Sequence, residues 1–298
     1  MTTTVNDNDV ALALPPKTSE LRRVIRIFFG RKIAVVGFVI ICLYVLIAIF
    51  APFVAPHDPN FFDSTIRLQQ PSSEHLLGTD SIGRDTLSRI IYGSRTTLLI
   101  GVSAVVIGSA VGQFLGLLAA YFGGWINIII MRLMDVQISF PGMILMLLIG
   151  ALLGGGTRNV IIALSISMIP VSCRLMCGEA LSVKQNEYIT AARAIGSSPF
   201  RIMLRRIYPN CFPSLLVMMS IMMGVVIISE AGLSYLGIGV QVPQADWGSM
   251  VSDGYRYLLT NPILALSPGI AIMLMVFGFN MMGDGLRDAL DPKLRGII

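Results

Sequence analysis

YITAARAIGSSPFRIMLRRIYPN, residues 188–210, is a polar island in an apolar chain. It carries Arg193, Arg201, Arg205 and Arg206 close to segments that are almost pure hydrocarbon. Its local grammar reads helix, glycine, helix. Residues 187–195 favour helix, and Gly196 accepts the left-handed conformation that closes one. Ser198 can cap the next helix, with Pro199 at its first position, where a missing N–H is harmless. Pro209 predicts its end near Tyr208. On the first helix Tyr188, Ala191, Ala192 and Ile195 fall on one face. That face is too short to hold the helix alone. Either the segment packs under its own bundle as a linker, or it is a knob that docks on a partner.

The flanks decide the class. The chain is 54% hydrophobic and 13% charged, against about 25% charged in soluble domains. Its apolar residues lie in long runs: 33–56, 96–131, 136–157, 159–173, 207–229 and 257–283. About 20 apolar residues cross the hydrocarbon core. The 96–131 run has room for one span and a turn, with Gly123-Gly124 as the stop. The 159–173 run reaches span length if extended to Gly178, with Arg174 snorkelling near its end. Six transmembrane helices are expected, in an all-α membrane fold.

Orientation follows from Lys and Arg in the loops. With the N-terminus inside, fifteen fall inside and six outside. The reading places both termini in the cytoplasm and explains most of the net charge of +5 without nucleic acid. A first helix that begins only at residue 33 is a retained span rather than a cleaved signal. The expected organisation is a cytoplasmic tail (1–32, its first 20 residues disordered), a first span (33–56), an outer segment (57–95), a five-helix core (96–283) and a cytoplasmic tail (284–298).

Catalytic constellations do not emerge. The four lysines follow no glycine-rich phosphate cradle, and no HExxH, paired CxxC or GxSxG occurs. His57 and His75, the only histidines, both fall in the outer segment. Cys173 and Cys177 share a helix face but read as helix packing. No catalytic residue, metal or cofactor is assigned. Arg132 and Asp135 read as a helix-end pair. In the fifth span Met218, Met219, Met222 and Met223 suit either ordinary packing or an adaptable pathway lining. Glu230, at its outer end, joins them as a candidate lining residue.

In the outer segment, HLLGTDSIGRDTLSRIIYGSR (75–95) reads as turns followed by an amphipathic interfacial helix leading into the second span. Leu87, Ile90 and Ile91 make its apolar side, with Arg84, Arg89 and Arg95 elsewhere. SYLGIGVQVPQADWGSM (234–250) is a Gly/Pro-broken connection, with Trp247 as an interfacial anchor.

The 188–210 passage resembles the coupling loop of ABC-importer permeases, whose motif has a small-residue helix, a glycine and a proline thirteen residues later. Here these are Thr190-Ala191-Ala192, Gly196 and Pro209. Thr190 stands where the motif has glutamate. HLLGTDSIGRDTLSRIIYGSR, MRLMDVQISFPG, SEAGLSYLGIGVQVPQADWGSM and GDGLRDALDPKLR resemble, in order, the second permease subunit of dipeptide/oligopeptide importers. The resemblance implies the type I importer permease fold in a bacterial inner membrane. It implies a homologous permease as heterodimer partner, two cytoplasmic ATPase subunits and an extracytoplasmic solute-binding protein. It marks Glu187, Tyr188, Thr190, Ala191, Ala192, Gly196, Ser198, Pro199 and Arg201 as the ATPase-coupling set. Importers of nickel chelates or glutathione share these motifs. A secondary transporter would need pathway carboxylates or an inverted repeat, and neither is apparent.

Overall fold

The computed structural model describes residues 20–290. Most of the segment expected to be disordered, residues 1–19, lies outside the described residues, as do residues 291–298. A short helix α1 (Glu20–Gly30) leads into α2 (Lys32–Ile49). After an irregular segment come α3 (Thr86–Phe122), α4 (Gly124–Ile138), α5 (Gly142–Leu153) and α6 (Thr157–Lys184). Then follow α7 (Glu187–Ala194), α8 (Pro199–Tyr235), α9 (Trp247–Tyr255) and α10 (Ile263–Leu290). Among the described residues five helices are long and apolar enough to cross a membrane, six if the bent pair α4–α5 counts as one span.

Lipid offers no hydrophobic drive between helices, so close contact must hold them together. The tightest seam joins α3 to α6 through Gly108, Gly112 and Gly116, four residues apart on one face. A Cβ on Gly112 would meet the Ile169 carbonyl at 2.6 Å, and one on Gly108 the Ser165 carbonyl at 2.6 Å. Cys173 is buried in this seam, and the partly buried Asn127 amide donates to the Cys177 Sγ beside it at 3.6 Å. α2 meets α10 in the same way, Gly37 lying against Met281 and Gly285 against Ala34.

Three expectations about the helices need correction. The third run is not one helix: α4 and α5 meet at 89°. Pro141 has no N–H to continue the ladder and disfavours helical geometry at Phe140. Residues 86–95 are not a separate interfacial helix, because α3 runs unbroken for 37 residues from an Asp85 cap. Its Arg89 is 3% exposed, donating to the carbonyls of Pro59 at 3.1 Å and Pro243 at 3.4 Å. Pro209 does not end the second cytoplasmic helix either. A π-turn over Met203–Ile207 lets the Tyr208 N–H reach the Met203 carbonyl, carrying the helix past the proline into α8. The last helix, α10, continues to Leu290.

The sequence reading also missed α1. Its partly buried Val24, Ile27 and Phe28 sit among exposed Arg22, Ile25 and Arg26, and Arg31 just beyond it pairs with Asp288 on α10 at 3.0 Å. The α1 signal is the spacing of those apolar residues.

Candidate functional site at the basic end

α7 hangs between α6 and α8 on very short links. Gln185 and Asn186 separate it from α6. Its C-terminus is closed by a pair of hydrogen bonds, Gly196 N–H to the Arg193 carbonyl at 2.9 Å and Ser197 N–H to the Ala192 carbonyl at 3.1 Å. This is the glycine-closed helix end, and Gly196 sits at φ +76°. Four residues later the chain is already in α8.

One side of this element is bolted to the bundle. Ile189, Ala192, Ile202, Met203 and Ile207 are buried against Leu117, Met176, Ala180 and Leu215. Lys184 Nζ donates to the carbonyls of Ala120 at 2.9 Å and Tyr121 at 2.8 Å, at the end of α3. A cation there complements the helix C-terminus. The Arg193 guanidinium lies 5.3 Å from the centre of the Tyr121 ring.

The other side is open. Tyr188 is 40% exposed, Ile195 80%, Phe200 58% and Leu204 43%. Glu187, Thr190, Ala191, Gly196, Ser198, Pro199 and Arg201 are exposed beside them. Of the four residues expected on one apolar face, only Ala192 turns inward, with Ile189. Ser198 begins α8 without a side-chain cap. An exposed apolar stripe rimmed by arginines, on an element locked to three helices, is a docking surface in form.

The candidate lining residues fare differently. Met223 is 6% exposed in the main core, where a Cβ on Gly101 would lie 3.2 Å from its Cε. Met219 and Met222 pack on that core half-buried, and Met219 Sδ accepts from Gln113 Nε2 at 3.6 Å. Met218 is half-buried. Glu230 is 1% exposed. It accepts from Ser234 Oγ at 3.3 Å, one turn along the same helix, and lies beside Asp246 at the start of α9.

A different charged pair stands open on the flank of α4 and α6. Asp135, just before the α4–α5 corner, pairs with Arg174 of α6 and, at 3.4 Å, with Arg132. Asp135 is thus not confined to a helix-end pair, and Arg174 does not snorkel along its own helix. Arg174 lies ten residues short of the end of α6, about 15 Å of helix, with its side chain 49% exposed. Charges at membrane depth face protein or water rather than lipid. Sequence spacing hid the pair because the two residues are 39 positions apart.

At the far end the 236–246 connection folds onto α3. Trp247 is not an interfacial anchor but is 0% exposed. Its indole N–H donates to the Ile90 carbonyl at 2.9 Å. Gly93 opens the slot, since a Cβ there would meet the indole at 2.5 Å.

Comparisons with known proteins agree with this architecture. Residues 112–296 match the family described as binding-protein-dependent transport system inner membrane component. Residues 19–71 match the N-terminal transmembrane domain of oligopeptide transport permease C. The dipeptide transport system permease protein DppC of Alkalihalophilus pseudofirmus is 42% identical over 89% of this chain and 87% of its own length. The glutathione transport system permease protein GsiD of Escherichia coli is 44% identical over 91% of this chain and 90% of its own. A chain of the inward-facing MetNI methionine ABC transporter superposes with a TM-score of 0.56 at 18% identity, covering 69% of this chain and 97% of that one, and so shares the fold. With a family match over most of its length and relatives this similar end to end, the chain belongs to the binding-protein-dependent transport inner membrane components.

Proposed function

We propose that this chain is the membrane-spanning permease subunit of an ATP-driven importer of short peptides, coupled to its motor through residues 187–207. The observation that carries this reading is the open apolar stripe on α7 and early α8, fixed to α3, α6 and α8 on its other side. The excess of Lys and Arg at this end supports placing it in the cytoplasm. There two ATPase subunits would seat it, each permease of a heterodimer offering one such knob. When the motor closes on ATP, α7 is displaced, and its short links pass the displacement to α6 and α8. Stiffness suffices for this, so the chain needs no catalytic group of its own. The open Asp135–Arg174 pair favours the α4–α6 flank, rather than Met223, as the side facing the pathway or the partner permease.

The names of the relatives, dipeptide and glutathione permeases, support a short peptide as solute, delivered by a binding protein on the outer side. The test is ATP hydrolysis by the purified complex with its binding protein across a solute panel. Dipeptides, tripeptides and glutathione are expected to include the stimulating solute. Stimulation only by a non-peptide such as a nickel chelate would overturn the peptide assignment and leave the permease reading intact.

A further inference from the structure

The far end gathers three ligand-type side chains that the transport reading leaves unused. His57 follows the last turn after α2, His75 lies in the loop folded back on α3, and Asp85 caps α3. His75 Nδ1 is 2.9 Å and His57 Nδ1 3.8 Å from the same oxygen, Asp85 Oδ1. The two imidazole rings lie 4.7 Å apart. One ligand atom from each residue lies within 4.8 Å of the others.

The cluster is held in place. Asp85 Oδ2 accepts from the Ser88 N–H at 2.8 Å and from its hydroxyl at 2.7 Å, which aims Oδ1 at the histidines. The His57 N–H donates to Ser88 Oγ at 3.0 Å and the His75 N–H to Ser72 Oγ at 3.0 Å. The neighbouring cations are engaged elsewhere, Arg84 on Asp80 at 2.7 Å and Arg89 on Asp80 at 3.7 Å. One atom is unexplained: His57 Nδ1 is sealed from solvent without a hydrogen-bond partner, an unfavourable state for a buried polar group.

A cation among the three atoms gives Nδ1 its partner. Tetrahedral bonds of about 2.0–2.1 Å set ligand atoms roughly 3.3–3.4 Å apart. That value falls between the 2.9 and 3.8 Å observed. Two imidazoles and a carboxylate suit zinc and its neighbours rather than magnesium or calcium, which take oxygen ligands. The His57 side chain is 36% exposed, so the cluster lies close to the surface although Nδ1 itself is covered. We propose that His57, His75 and Asp85 bind one zinc-class divalent cation, pinning the 57–75 segment to the start of α3.

The test uses the full-length chain in detergent, without a polyhistidine tag and stripped with a chelator. Zn2+ is titrated against a competing fluorescent chelator while the melting temperature is followed. The expected result is one equivalent per chain and a higher melting temperature, unchanged by excess Mg2+. His57→Ala should bind at least about 10–100-fold more weakly, the cost of losing even an outer-shell partner. Asp85→Asn, which keeps the cap and drops the anionic ligand, should do the same. No uptake by the wild-type chain, equal binding by both variants, or displacement by Mg2+ would overturn the site.

Discussion

Gly196→Pro abolishes solute uptake while the complex still assembles in the membrane and its ATPases turn over at an unstimulated rate. The reason is the backbone. Gly196 holds φ +76°, whereas proline is locked near −65°. Proline also removes the N–H that bonds the Arg193 carbonyl at 2.9 Å. The closed end of α7 opens, and its link to α8 loses its fixed angle. The buried contacts of Ile202 and Ile207 lie beyond the break, so α8 itself stays folded. Gly196→Ala separates backbone from bulk. No atom stands within 4 Å of an added Cβ, so alanine meets only the left-handed conformational cost of about 1–2 kcal/mol and retains measurable uptake. Wild-type uptake with normal ATPase stimulation in Gly196→Pro would reduce residues 187–207 to a linker.

Trp247→Ala lowers the melting temperature of the purified chain and reduces the amount recovered from membranes. The side chain is fully buried, its ring edge-on to Tyr44 at 5.7 Å. Truncating a buried tryptophan leaves a cavity costing about 3–5 kcal/mol. Trp247→Phe refills most of the volume but lacks the donor to Ile90, a hydrogen bond worth about 0.5–1.5 kcal/mol, and should fall between. An unchanged melting temperature in Trp247→Ala would mean that the 236–246 connection does not brace α3.

The spans were legible because crossing a bilayer demands charge-free runs of fixed length, and no soluble domain needs them. The glycine-closed end at Gly196 was legible because its chemistry is local. What escaped depended on partners distant in sequence. Trp247 carries an interfacial signature, and only Gly93, 154 positions away, turns it inward. Arg89 looks like a surface arginine until the carbonyls of Pro59 and Pro243 reach it. His57, His75 and Asp85 have no recognised ligand spacing, since the loop between them sets their distances. Two misses did have local signals. Phe140-Pro141 announces the break between α4 and α5, and the apolar spacing of Val24, Ile27 and Phe28 announces α1. For α7 the helix was foreseen but its orientation was not, because Ile189 was left out of the face that buries Ala192.

The exposed stripe of α7 is proposed to seat an ATPase. The direct measurement is site-specific cross-linking in the assembled complex. Ile195→Cys stands on the stripe and is 80% exposed in the isolated chain, while Cys173, Cys177 and Cys211 are buried and Cys42 is half-buried. Ile195→Cys is expected to cross-link to an ATPase subunit and to be shielded from maleimide once the complex forms. Free labelling of Ile195→Cys in the assembled, active complex, with no cross-link to an ATPase, would contradict it.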